Sequence, residues 1–100
     1  MHMETDIFKI ASEVTDEESF IQFLELLAKD REKEKELEKN NPSSPYASGA
    51  LGWENILIEH FLESASSWGQ ATMKGTEFYS KPENPWSRAA QIICAGKSYE

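Results

Sequence analysis

The sequence predicts an all-α fold: a small helical array of three main helices preceded by a short N-terminal helix. Two observations predict it. Apolar residues recur at spacings of three and four in several separate segments. Helix-start signals stand at Thr15-Asp16-Glu17-Glu18 and at Asn84-Pro85. No stretch reads clearly as a sheet, and there is no internal repeat. One hundred residues make a single domain, 1–100, with a modest core.

At the N-terminus, Met1-His2-Met3 reads as a cloning remnant or a disordered end and is left out of the functional argument. Ile7, Ile10, Ala11 and Val14 fall at helical spacing behind Thr5-Asp6 as a cap. A short N-terminal strand over Asp6–Ile10 is the competing reading. Thr15 and Glu18 have the spacing of a capping box, with Thr15 as N-cap. The helix that follows is apolar at 20, 21, 23, 24, 26, 27 and 28, more than half its circumference. One neighbour does not cover so wide a face, so the helix is expected to pack between two elements.

Lys29 to Lys39 continues this helix into solvent. Its charges alternate, so opposite signs meet at i,i+3 (Arg31–Glu34) and like signs at i,i+4 (Arg31–Lys35). Each pair is worth only about 0.2–0.5 kcal/mol and the two sets nearly cancel. With Leu37 as its only apolar anchor, the segment is expected to fray before Asn40 and to carry no function.

A loop is expected at residues 40–52, broken by Pro42, Pro45 and Gly49, with Tyr46 either pinned to the body or presented to a partner. The second main helix is expected over Trp53 to Trp68. Trp53, Leu57, Phe61 and Trp68 form its apolar stripe, Glu59 and Glu63 lie on its outer face, and Gly69 is its C′ residue. A second loop falls at 70–83, with Met73, Phe78 and Tyr79 as lids over the core. Asn84 as N-cap and Pro85 at the first helical position start the last helix, which Gly96 ends.

The net charge is -8, yet residues 29–39 are neutral by themselves, with five bases and five acids. The surplus lies elsewhere. Residues 1–25 hold seven acids against Lys9, and residues 53–68 hold Glu54, Glu59 and Glu63 with no Lys or Arg. Such a surface disfavours nucleic acid and anionic membranes and favours a basic protein partner. Cys94 is the single cysteine, which excludes an internal disulfide and points to a reducing, cytoplasmic compartment. No apolar run approaches the roughly 20 residues that span a bilayer, and no signal-peptide pattern opens the chain.

The chemistry-bearing residues assemble no reaction. His60 and Glu63 have metal-ligand spacing on one helix but lack a recognisable third ligand, so His60 reads as a boundary histidine. Cys94 falls at a helix C-terminus, which disfavours a thiolate, and reads as a buried structural thiol. Glu54 falls in the first turn of its expected helix, where it caps that turn or pairs with Arg88. Trp53 and Trp86 stand at expected helix starts beside loops, where core packing competes with a role as binding anchors. Phosphate-binding glycine loops and C-x-x-C pairs are absent. No cofactor and no metal are expected.

Three segments together carry a resemblance. They are Phe20-x-x-Phe23-Leu24-x-x-Leu27-Ala28-x-Asp30; Trp53-x-Asn55 with Phe61-Leu62 and Trp68; and Pro85-Trp86 with Ala90, Ile93 and Tyr99-Glu100. The pattern resembles a family of small bacterial proteins of unknown function over most of residues 14–100. Trp86 directly follows Pro85 where that family has a spacer residue. The resemblance implies a fold and carries no catalytic residues. In size and character the chain is also similar to immunity proteins of bacterial toxin systems, a class-level analogy.

The expectation is therefore a non-enzymatic, acidic, protein-binding chain of immunity or antitoxin type that occludes a basic partner. Glu54, Glu59 and Glu63 carry the binding, with Tyr46 and Trp53 nearby. A structural or regulatory module, including a homodimer formed through the apolar face of residues 20–28, is the alternative. A small enzyme is a more distant one.

Overall fold

A computed structural model describes residues 7–41 and 51–99. The expectations for residues 1–3, for the Thr5-Asp6 cap and for Tyr46 lie outside the described residues. Among the described residues four helices follow in order: α1 (Ile7–Ser12), α2 (Glu17–Asn40), α3 (Ile58–Ala71) and α4 (Pro85–Ala95). The fold is all-α, and the N-terminal segment is a helix rather than a strand. The nearest approach to a sheet among the described residues is an isolated bridge between Thr76 and Tyr79.

α4 is the central element, packing on α1, α2 and α3, while α2 and α3 do not pack against each other. Its inward face is Ser87, Ala90, Gln91 and Cys94, the i, i+3, i+4, i+7 spacing of one helical face. Two of these residues are polar, and both are used. Ser87 Oγ donates to the Ser12 carbonyl at 2.7 Å, and Gln91 Nε2 donates to Ser12 Oγ at 3.0 Å. Gln91 also accepts from the Tyr79 hydroxyl. These bonds fix α1, through Ser12, to α4. Ile7, Ala11, Val14, Phe23, Leu27, Trp53, Ala90 and Cys94 form the buried core.

The helix starts match the sequence at one end and differ by one residue at the other. Asn84 caps α4, its Oδ1 accepting from the Trp86 and Ser87 amides. α2 is capped by Asp16 rather than Thr15. Asp16 Oδ1 accepts from the Ser19 amide at 2.8 Å, and Ser19 Oγ accepts from the Asp16 amide at 3.2 Å. A short serine at the third helical position serves this reciprocal bond as the expected Glu18 would have done. α2 also keeps its helix to Asn40 without the expected fraying.

Larger corrections concern the segment from 53 to 83. α3 begins at Ile58, so Trp53 to Leu57 is not helical. Glu54 therefore caps no first turn. Arg88, its expected partner, turns the other way to Thr72 Oγ1, the Tyr79 hydroxyl and the Gly69 carbonyl. Gly69 is not a C′ residue either: α3 runs on to Ala71, and Gly69 is buried against Ile92. Of the three expected lids only Tyr79 packs down, edge-on to Trp68 with ring centroids 5.0 Å apart. Met73 is exposed, and Phe78 stands 92% exposed on the turn between Thr76 and Tyr79.

Candidate functional site

Because α2 and α3 do not meet, a gap opens between them above α4, and a strap formed by residues 51–57 runs along it. The result is an apolar groove of about 330 Å³. Leu24 and Ala28 of α2 form one wall, Ile56 to Ile58 and Phe61 form the other, and Ile93 of α4 contributes to the base. The spacing of Leu24, Leu27, Ala28 and Arg31 puts all four on one face of α2. This explains the over-wide apolar face of residues 20–28. One part packs inward through Phe23 and Leu27, and another part lines the groove.

The strap is held by side chains from the charged half of α2. Glu34 is only 1% exposed. Its Oε2 accepts from the Leu51 amide at 2.9 Å and the Trp53 amide at 3.0 Å. Gly52 between them has φ +87°, the left-handed conformation that turns both neighbouring amides toward one oxygen. Glu34 Oε1 takes Arg31 at 3.5 Å. One turn earlier, Asp30 Oδ2 accepts from Trp53 Nε1 at 2.8 Å and from Lys97 Nζ at 2.9 Å.

The far end of the strap is tied to the C-terminal turn. The amides of Glu54 and Asn55 donate to the Lys97 carbonyl, and Asn55 Nδ2 donates to the carbonyls of Gly96 and Tyr99. Trp53 is the hub of this latch. Its ring lies nearly parallel to that of Phe61 at 6.0 Å between centroids, with Arg31 and Lys97 both within 6 Å of its centre.

The latch is the part that sequence reasoning missed. Segment 29–39 does form a solvated helix, but it also supplies the buried carboxylate that holds the strap. A signal was present: the buried spacing Phe23–Leu27 extends at helical period to Asp30 and Glu34. The resembling pattern had also included Asp30, Trp53 and Asn55, all three of which are pins of the strap.

The expected site residues separate. Glu54, Glu59 and Glu63 are exposed, as is His60, whereas Trp53 is buried and its indole N–H is held by Asp30. Glu54 and Glu59 adjoin groove-lining residues in the chain, and Glu63 follows Glu59 by one turn of α3. Around them stand large exposed aliphatics: Ile56, Leu57, Ile58 at 78% and Leu62 at 60%. Ile21 and Leu24 are exposed on α2 as well. Cys94 is buried in the core. Among the described residues no three His, Cys, Asp or Glu side chains are placed to hold a metal ion, and no helix is long and apolar enough to cross a membrane.

Fold and site together define a small all-α protein whose four described helices present an aliphatic groove. The chain belongs to a family of unknown function (DUF7660), whose model matches residues 16–100. The match starts at the α2 N-cap and takes in the strap, α3 and α4, leaving α1 outside. No curated protein and no solved structure matches the chain.

Proposed function

We propose that this protein is a non-catalytic binding module that seats a basic protein partner on the groove face and occludes it, in the manner of an immunity or antitoxin-type inhibitor. The observation that carries the reading is the exposed run Ile56-Leu57-Ile58 beside the groove. Monomeric proteins rarely leave so contiguous an aliphatic patch in water without a use for it. The partner's charge follows from the acids. Glu54 and Glu59 flank the run in the chain, Glu63 follows Glu59 by one turn of α3, and residues 53–68 contain no Lys or Arg. The two bases on the α2 side are already engaged, Lys29 with Glu25 at 3.0 Å and Arg31 with Glu34.

The polar groups at the groove support a protein rather than a small molecule as the occupant. Asn55 and Arg31 both line it, and both are committed to the latch. A small ligand would find few free donors or acceptors to fix its orientation. A second copy of the chain is the weaker occupant, since an isologous contact would bring together two faces that both carry these glutamates and no Lys or Arg of residues 53–68.

The test is kinetic. Replacing Glu54, Glu59 and Glu63 together with Ala slows association with the native partner and flattens its dependence on salt, while dissociation changes little. An association rate that is independent of salt in the unmodified protein contradicts the reading.

A further inference from the structure

We infer that the occupant of the groove is an amphipathic helix of the partner, with apolar anchors on one face and Lys or Arg flanking them. This rests on the proposed function and specifies the shape of what binds. The architecture itself leaves a helix-sized position open. α2 and α3 both pack on α4 but not on each other, so the groove is bounded by two helices and based on a third. Helices fill such positions by laying a ridge of side chains into the gap.

The dimensions agree. The groove-lining stripe Leu24, Leu27, Ala28 and Arg31 extends about 10 Å along α2, about two turns of a helix laid beside it. A volume of about 330 Å³ accepts a few aliphatic side chains pointing inward while the helix that carries them stays at the rim. Anchors at i, i+3 or i+4, and i+7 match that length. The opposite rim specifies the flanks. Glu54 and Glu59, each next to groove-lining residues in the chain, favour bases there, and they disfavour a helix with acidic flanks, a second copy of this face and an anionic membrane.

The experiment uses a designed 14-residue peptide with leucines at i, i+3, i+7 and i+10 and lysines at the flanking positions. A counterpart carries glutamate in place of lysine. Each is titrated into the full chain, and binding is read by fluorescence anisotropy and by backbone amide shifts. The leucine–lysine peptide is expected to bind at least about tenfold more tightly than its acidic counterpart. Its shifts are expected to concentrate in residues 21–31 and 53–62. Leu24→Asp and Ile58→Asp each weaken it by about tenfold or more, while Phe78→Ser does not.

Both aspartate variants alter exposed side chains, and circular dichroism checks that the helices persist. Equal binding of the two peptides overturns the inference. So does binding that shifts Glu13 to Glu18 and ignores Leu24→Asp and Ile58→Asp, or preferential uptake by uncharged vesicles. If the peptide fails while the native partner still binds and is lost in Ile58→Asp, the helical occupant falls and the binding face stands. If the native partner also ignores Ile58→Asp, both fall.

Discussion

Glu34 lies at 1% exposure on a helix whose neighbouring charges face water, and its two oxygens serve three donors. Truncating such a carboxylate strands Leu51 N, Trp53 N and Arg31 together. Glu34→Ala is expected to cost about 3–5 kcal/mol, a large share of the roughly 5–15 kcal/mol that holds a small domain. Glu34→Gln keeps an acceptor for the two amides and costs less. Urea denaturation of both variants checks the order. Two glycines make a second residue-scale contrast. A Cβ on Gly69 would lie 3.6 Å from the Ile92 side chain, an ordinary contact inside a helix. Gly69→Ala is therefore expected to stabilise by up to about 1 kcal/mol through helix propensity. A Cβ on Gly96 would lie 2.7 Å from the Phe61 carbonyl oxygen and 3.1 Å from its ring. Gly96→Ala is expected to cost about 1–3 kcal/mol and to displace Phe61 from the groove wall, measured by thermal unfolding and by Phe61 ring shifts.

Among the elements, α2 and α4 were readable because local chemistry decides their ends. Asn84-Pro85 acts within three residues, and so does the Asp16–Ser19 pair. The strap was not readable, because Trp53, Leu57 and Phe61 have helical spacing on paper. What keeps Trp53 to Leu57 out of a helix is tertiary: Glu34 and Asp30 from one direction, the C-terminal turn from the other. Residues 17 to 44 positions away in the chain supply those bonds, and no local pattern reports them. The charged half of α2 was misjudged for the same reason, since alternation of sign does not reveal which glutamate faces inward. The Asp16 cap yields a pH prediction. The Ser19 amide, and then the Ser19 side chain, hold its carboxyl below the ordinary value of 3.8. A carboxyl lowered by folding adds stability above its unfolded value, and that stability is lost as pH falls through the folded one. Unfolding followed from pH 6 down to pH 2 should show this component in the native protein and lack it in Asp16→Asn.

At the scale of the whole molecule, the fold follows from α4 serving three partners while α2 and α3 stay apart. That separation creates the groove, and the latch keeps it open by holding the strap along its edge. Of the net charge of -8, residues 53–68 contribute -3, while residues 1–25 contribute -6. Glu54 and Glu59 adjoin groove-lining residues in the chain and Glu63 follows one turn along α3, whereas the acids of residues 29–39 are balanced by the five bases of that segment, with Glu34 buried in the latch. The sequence reading placed Glu59 and Glu63 on the outer face of a helix and Glu54 in its first turn, with Trp53 nearby. The structure separates Trp53 into the core and sets the glutamates among exposed aliphatics instead. The central claim is that this face, rather than any other, receives the partner. Its most direct test is the affinity of the native partner for Ile58→Asp beside Phe78→Asp, two exposed apolar positions at opposite ends of the α3 region. Loss of binding in Ile58→Asp with Phe78→Asp unchanged is the predicted result; retained binding in Ile58→Asp contradicts the account.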